Sequence, residues 1–217
     1  MAELSRNSII YTPDCKIEGV VQIIHDMADH QGRYREMAHY FTDHGYITVT
    51  SDIRGHGNNV SRASELGFFG DNAVSRITGD IHENSLYIRE TFPDLTYALI
   101  GQGMGALIAT IYFKKYDNFI DALFLSGMPS CRPLRYAGSL LMMVLIALNG
   151  EFNRSRFVNH IIMNRYCSRY TKEGSEHAWL SLDQNNVIKY DNDPKCGFIY
   201  TLNGYRTLIE LMNQTYG

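Results

Sequence analysis

A glycine-rich turn after a short apolar run carries the clearest chemical pattern in this chain, G-x-G-x-G at Gly101, Gly103 and Gly105. Residues 97–100 before it read as a strand, and apolar side chains recur at helical spacing from Met104 onward. A sharp strand-to-helix turn of this form can present a serine nucleophile at its middle position. The middle position here is Gly103, which has no side chain. The sequence therefore predicts the scaffold for nucleophilic catalysis without the nucleophile.

Polar residues also follow two earlier apolar runs, residues 20–24 and 46–50. These polar residues are His25, Asp26, Asp52, Arg54 and His56. Since ligands meet the carboxyl ends of parallel strands, we expect all three turns to lie at one edge of a sheet. Several histidines near one edge could suggest a metal site. However, the spacing from His25 to His30 matches no zinc pattern and no Cys or Glu completes a set, so no metal is predicted.

Strand and helix patterns alternate through the first two-thirds of the chain. Predicted strands cover 20–24, 46–50, 97–100 and 122–125, and predicted helices cover 33–44, 73–91 and 104–115. This alternation is typical of a mostly parallel sheet in an α/β fold. Residues 140–148 are apolar all round and form either a buried core helix or a lid. Their place directly after a strand favours the lid.

Composition excludes several functional classes. The 217 residues carry a net charge of -3, with 45% hydrophobic and 20% charged residues and no basic stripe, which argues against nucleic acid as a partner. The longest apolar run has nine residues, whereas a membrane-spanning helix needs about 20. This leaves only peripheral membrane contact open. Four cysteines without C-x-x-C pairs, and no secretory pattern, favour reduced thiols in a cytoplasmic protein.

Several ordered segments together resemble one family, the monoacylglycerol lipases and bacterial lysophospholipases. Residues 25–34 are similar to its H-G-x-x-x-H…R-Y segment, 52–57 to its D-x-R-G-H-G turn, and 101–109 to its G-H-S-M-G-G-L-I-A elbow. Later W-L-S, D-P, C-G-F and N-G-Y segments resemble bacterial members, so the likeness runs from about Ser8 to the end of the chain. Such a resemblance indicates descent and fold rather than activity.

The resemblance implies an α/β-hydrolase fold: a mostly parallel sheet flanked by helices, with a helical cap insertion. It divides the chain into an N-terminal core at 1–128, a cap at 129–200 and a return helix at 201–217. The chain then ends before the strands that carry the family's acid and base. The implied substrates are acyl esters such as lysophospholipids or monoacylglycerols, with no cofactor.

The resemblance also assigns residue roles. The oxyanion hole would use the backbone N–H groups of Met27 and Met104. The remaining assignments are an elbow of Gly101, Gln102 and Gly105, and loop-organising roles for His25, Asp52, Arg54 and His56.

Three departures from the family pattern predict an inactive homologue of these ester hydrolases. Gly103 replaces the serine, Gln102 replaces a histidine, and Asp26 replaces a glycine beside the oxyanion hole. An inward Asp26 carboxylate would oppose developing negative charge, whereas one facing solvent would do nothing. We find no late acid and base after Phe198, and His177 fits a solvated helix face better than a triad.

Two alternatives stay open beside the inactive homologue. One is a non-catalytic module that binds a lipid or a partner, with an acyl pocket lined by Met104, Met142 and Met143. The other is residual carboxylic-ester hydrolysis, for which Ser51 and Ser126 are the candidate nucleophiles.

Residues 122–125 are flat, apolar and uncharged. If no further strand covers them, they form a sheet edge, where we expect self-association.

Overall fold

The computed structural model describes residues 3–130, 135–167, 170 and 174–217. Its described strands form one sheet in the order β1-β3-β2-β4-β5. They are β1 (Ser8–Tyr11), β2 (Gly19–Ile24), β3 (Tyr46–Ser51), β4 (Tyr97–Gln102) and β5 (Ala122–Ser126). Strand β1 pairs antiparallel with β3, and the other neighbours pair parallel. The predicted mostly parallel sheet is confirmed, with β1 as an unpredicted antiparallel edge.

Strand β2 lies at the centre of the sheet, hydrogen-bonded to β3 on one side and β4 on the other. Every one of its residues is buried. A strand covered on both faces favours apolar side chains, and residues 20–24 are all Val or Ile except Gln22, whose Oε1 accepts from the Tyr97 hydroxyl. Because β2, β3 and β4 run parallel, their carboxyl ends place the three polar turns at the same edge of the sheet.

The described helices lie between and after the strands. They are α1 (Arg35–Asp43), α2 (Ala73–Thr91), α3 (Met104–Tyr116), α4 (Arg135–Asn149), α5 (Arg156–Cys167), α6 (Gln184–Asp191) and α7 (Leu202–Tyr216). The bounds predicted for α2 are confirmed at both ends. The helix predicted from residue 33 is instead a 3-10 turn over Gln31–Tyr34 followed by α1. Here Gly45, with a φ of 86°, provides the left-handed residue that follows the helix.

Helix α4 contains the apolar run 140–148 and packs against α7. Met142 is buried, while Leu140, Met143 and Leu148 remain 59%, 61% and 76% exposed. The helix is therefore buried on only one side. Helix α7 in turn packs on α3 and α2. The division of the chain into core, cap and return helix stays a prediction.

Strand β5 occupies the outer position of the sheet next to β4, as predicted. Its side chains Phe124 and Leu125 are 58% and 41% exposed. The described residues include no helix long and apolar enough to cross a bilayer. Cys15, Cys167 and Cys196 are free thiols, and Cys131 lies outside the described residues.

Candidate functional site

The turn between β4 and α3 has the geometry of a nucleophile elbow. Gly103 adopts φ 54° and ψ -115°, which side chains rarely tolerate, so the glycine holds this turn without the usual strain. Its N–H donates to the Ser126 carbonyl at 2.8 Å. A Cβ on Gly101 would lie 2.5 Å from the Gly105 carbonyl oxygen, and one on Gly105 would overlap the Ile24 carbonyl. Close packing thus requires both outer glycines.

The carboxylate of Asp26 fills the space beside Gly103. Its Oδ1 accepts hydrogen bonds from the backbone N–H of Met27 at 2.6 Å and of Met104 at 2.7 Å. A Cβ built on Gly103 would overlap the Asp26 carboxyl group. Asp26 therefore occupies the position of a serine side chain at the elbow. It also takes both backbone donors that the sequence assigned to the oxyanion hole.

The orientation of Asp26 is the point that the sequence left open. The structure turns the carboxylate inward, so the solvent-facing alternative is wrong. Burial raises the pKa of Asp26 to about 6, although the N–H donors of Met104 and Met27 favour the charged form. Asp29 adds a like charge nearby. Because this pKa is still below 7, the group is mostly ionised at neutral pH and places a negative charge against the N–H groups of Met27 and Met104.

The loop after β2 holds Asp26 in this place through backbone contacts. The Asp26 N–H donates to the Tyr34 hydroxyl at 3.2 Å. Ala28 adopts a left-handed φ of 48°, and its N–H donates to the Tyr200 hydroxyl at 3.2 Å. Its carbonyl accepts from the Tyr190 hydroxyl at 2.8 Å. These tyrosines bring parts of the chain that are distant in sequence to the floor of the site.

His25 and His56 lie side by side with their ring centres 5.1 Å apart. The Nε2 of His25 accepts from the Ile53 N–H at 2.9 Å, so its Nδ1 donates to the Asp26 carbonyl at 2.7 Å. The Nε2 of His56 accepts from the Tyr200 hydroxyl at 2.6 Å. Burial lowers the pKa of both rings. Both histidines are neutral and hold loops together, in line with the role the sequence suggested.

Asp52 and Arg54 stabilise the turn after β3 in different ways. The Asp52 carboxylate accepts from the N–H of Gln31 at 2.9 Å and of Asn58 at 2.7 Å. A Cβ on Gly57 would overlap it, which accounts for the glycine. Arg54 forms a two-point ion pair with Asp80 at 2.7 Å for each bond. It therefore ties the turn to α2.

His177 lies away from any solvated helix face, so that prediction is wrong. Its Nδ1 is 2.7 Å from Asp191 Oδ1, and its ring packs edge-on against Tyr190 at 4.8 Å. It lines a cavity of about 460 Å³ whose wall also includes Asp26. Sequence periodicity missed this position because the residue precedes a one-turn 3-10 segment, Ala178–Leu180.

The methionines predicted to line an acyl pocket are elsewhere. Met104 and Met142 are buried in the core, and Met143 is 61% exposed. The cavity instead takes Met27, Met37 and Met163, together with the aromatic residues Tyr34, Trp179, Tyr190 and Phe198. The prediction was wrong because an apolar sequence pattern does not distinguish a methionine buried in the core from one that lines a cavity.

The two candidate replacement nucleophiles do not reach this cavity. Ser51 is buried at the end of β3, and Ser126 is exposed at the end of β5. Neither lines the cavity wall. The arrangement gives no support to residual hydrolysis through either hydroxyl.

Among the described residues, His30, Asp193 and Cys196 come close enough together to suggest a metal site. Their contacts favour hydrogen bonding instead. The Nδ1 of His30 accepts from the Gly32 N–H at 3.1 Å, so the proton lies on Nε2, which donates to Asp193 at 2.9 Å. Burial raises the pKa of the Cys196 thiol, whereas a metal needs the thiolate.

Comparisons with known proteins agree on the ancestry of the chain. The family model Hydrolase_4, serine aminopeptidase S33, matches residues 16–216. A monoacylglycerol lipase of Mycolicibacterium smegmatis is 30% identical over 118 residues, covering 54% of this chain and 40% of that protein. A monoglyceride lipase homolog of Monkeypox virus is 25% identical, covering 82% of this chain and 56% of its own length. The chain thus spans about half the length of these relatives.

Solved structures are similar over nearly the whole chain. A thermostable carboxyl esterase from Bacillus coagulans, in complex with glycerol, superposes with a TM-score of 0.85 at 24% identity, covering 98% of this chain and 71% of that one. A lipase in its open form superposes at 0.83 with 20% identity, covering 99% and 73%. At such low identities the likeness concerns the fold.

Proposed function

Because this chain belongs to the serine aminopeptidase S33 family of monoacylglycerol-lipase-like and lysophospholipase-like hydrolases, we propose that it binds an amphiphilic ligand without cleaving it. Its fold is the α/β-hydrolase fold, as predicted. One observation carries the proposal: the Asp26 carboxylate occupies both the oxyanion hole and the space of the missing serine side chain.

The first half of the proposal concerns the lost chemistry. Serine hydrolases attack an ester carbonyl with a side-chain oxygen and stabilise the resulting oxyanion with N–H donors. Gly103 supplies no such oxygen. The Met27 and Met104 N–H groups already bind a negatively charged oxygen. An ester carbonyl would have to displace this carboxylate before any oxyanion could be stabilised.

The second half concerns the retained cavity. The family relatives are named for lipid esters, which combine a polar head with an apolar chain. The cavity beside Asp26 has a matching division, with charged groups together with methionine and aromatic side chains. Pockets of this size and lining bind small molecules. A lipid or related amphiphile is therefore the ligand class that the lining favours.

The loss of hydrolysis is tested with the purified chain. We expect no labelling by a fluorophosphonate probe and p-nitrophenyl ester turnover equal to that of a boiled control, because no serine among the described residues lines the cavity. The variants Ser51→Ala and Ser126→Ala serve as controls. Turnover that exceeds the boiled sample and disappears in either variant would overturn the proposal.

Ligand binding is tested by calorimetric titration of the folded chain with monododecanoylglycerol below its aggregation concentration. We expect a saturable heat with one site. Absence of saturable heat, with folding checked by circular dichroism, would contradict the binding half of the proposal and leave only an inactive homologue.

A further inference from the structure

The cavity floor contains a buried carboxylate with no counter-ion. Asp26 Oδ1 accepts both backbone hydrogen bonds, and no donor among the described residues contacts Oδ2. The nearby Asp29 has the same charge. Its partner is Arg33, whose Nε lies 3.1 Å from Asp29 Oδ1. Asp26 lines the cavity and is only partly exposed, so Oδ2 can accept from a ligand there, and a carboxylate with little access to water favours a cation.

The other charged groups of the wall do not supply that cation. The ionisable side chains that line the cavity are Asp26, Asp29, Arg33, Tyr34, Cys167, Glu176, His177 and Tyr190. Arg33 balances Asp29, and His177 is paired with Asp191. Asp26 and Glu176 remain unbalanced within the described residues. Among the described residues, the wall therefore carries an excess of negative charge.

Aromatic faces surround the same space. Tyr34, Trp179, Tyr190 and Phe198 line the cavity. The guanidinium of Arg33 already lies over the Tyr190 ring, 4.8 Å from its centre. Rings of this kind attract cations through their negative faces, especially where water is excluded. Aromatic side chains beside unbalanced carboxylates suit an organic cation better than a carboxylate or a neutral ester.

We propose that the cavity binds the protonated amine of a long-chain alkylammonium ligand, with Asp26 as its counter-ion. The ammonium would donate to Asp26 Oδ2, while the alkyl chain would lie along Met27, Met37 and Met163. The inference rests on the proposed function, since it names the ligand of the same cavity. The charge that this site favours is thus the opposite of that in hydrolases. Their elbow stabilises an oxyanion, whereas this one attracts a cation.

The experiment compares three ligands with the same chain length and different heads: dodecylammonium, monododecanoylglycerol and dodecanoate, each below its aggregation concentration. Trp179 is the only tryptophan and lies in the cavity wall, so its fluorescence reports binding directly. We expect dodecylammonium to bind at least ten-fold more tightly than monododecanoylglycerol. Dodecanoate should bind most weakly of the three.

Three variants test whether ligand binding depends on the Asp26 carboxylate itself or on the negative charge of the protein in general. Asp26→Asn should weaken dodecylammonium binding about ten-fold and so remove its advantage over monododecanoylglycerol. Glu176→Gln, at an exposed position that tolerates substitution, should weaken the ammonium ligand by a smaller factor. The matched control Asp94→Asn removes an exposed carboxylate outside the wall and should leave all three affinities unchanged.

The possible outcomes distinguish the two proposals. If monododecanoylglycerol binds but dodecylammonium has no advantage, or if Asp26→Asn does not reduce that advantage, the cation inference is wrong and the proposed function stands. If dodecanoate binds most tightly, the cation inference is likewise overturned. If none of the three ligands binds to the folded chain, the binding function itself is wrong.

Discussion

At the scale of single residues, Asp26 and Gly103 form one unit. A carboxylate can occupy the elbow only because residue 103 lacks a Cβ. The absence of a side chain at Gly103 could be read from the sequence, since the G-x-G-x-G pattern fixes the position. The orientation of Asp26 could not, because it depends on the backbone of its loop and on the left-handed Ala28. The available signal in the sequence was that two positions of the same predicted site, Asp26 and Gly103, both depart from the family pattern.

Removing the charge of Asp26 should stabilise the protein in a pH-dependent way. Burial raises the pKa of Asp26 from 3.8 to about 6, so the folded state holds the proton more tightly than the unfolded state. The charged carboxyl therefore opposes folding fully above pH 6 and not at all well below 3.8. Asp26→Asn should raise the free energy of unfolding by up to about 3 kcal/mol at pH 7.5 and by roughly half that at pH 5.

Urea denaturation at both pH values measures this effect. Asp94→Asn, which removes an exposed carboxylate, provides the control and should change little at either pH. A stabilisation by Asp26→Asn that grows as the pH falls would have the opposite sign and would contradict the buried charge.

A double-mutant cycle tests the steric link between the two residues. Gly103→Ser introduces a side chain into strained backbone, costing about 1–3 kcal/mol, and into the space of the Asp26 carboxylate. In an Asp26→Ala background only the backbone cost remains. The coupling energy should therefore be about 1–3 kcal/mol. It is measured from the unfolding free energies of the four proteins. Additive effects would mean that the carboxylate and the new side chain do not compete.

At the scale of elements, the periodic segments could be predicted and the short ones could not. The apolar spacing of α2 sets its bounds, and the burial of β2 is indicated by a run of Val and Ile that only Gln22 interrupts. Strand β1 has four residues and pairs on one side only, so it leaves little pattern. The 3-10 turn at Gln31–Tyr34 is set by the His30 side chain, which accepts from the Gly32 N–H, rather than by any helical repeat.

The exposed end of β5 should promote self-association. Phe124 is 58% exposed on the outermost strand, where unpaired backbone groups accompany an apolar surface. We expect Phe124→Lys to shift the protein toward monomer and to raise its solubility, as measured by sedimentation velocity over a range of concentrations. The matched control is Phe113→Lys, which changes a 40% exposed side chain on α3 instead of one on the edge strand. An equal response in both variants would point to general surface hydrophobicity.

At the scale of the whole molecule, the segment around Tyr200 joins the later part of the chain to the loops of the site. Its hydroxyl contacts His56 and Ala28, and the Gly197 N–H donates to the Ala28 carbonyl at 2.9 Å. Sequence reasoning found the neighbourhood of Tyr200 only as a family resemblance. The contacts themselves span more than 140 positions, a separation that local patterns do not encode.

Removing the Tyr200 hydroxyl should loosen this junction. Tyr200→Phe leaves the buried His56 Nε2 and the Ala28 N–H without their partner, which costs about 1–3 kcal/mol of unfolding free energy. Thermal and urea unfolding measure the loss. Tyr40→Phe, which changes a 62% exposed side chain, should have almost no effect. Equal stability of the two variants would show that the junction contributes nothing.

Under the proposed function, the overlap between residues 26 and 103 also limits how hydrolysis could arise in this chain by mutation. A mutation that restores the serine alone meets an occupied space, and one that removes the aspartate alone gains no nucleophile. Neither single substitution would therefore give a working nucleophile in an open site, and the double change would pass through a variant that has only one of the two. Residues 26 and 103 would therefore have to change together, which keeps hydrolysis out of reach of any single substitution at these positions.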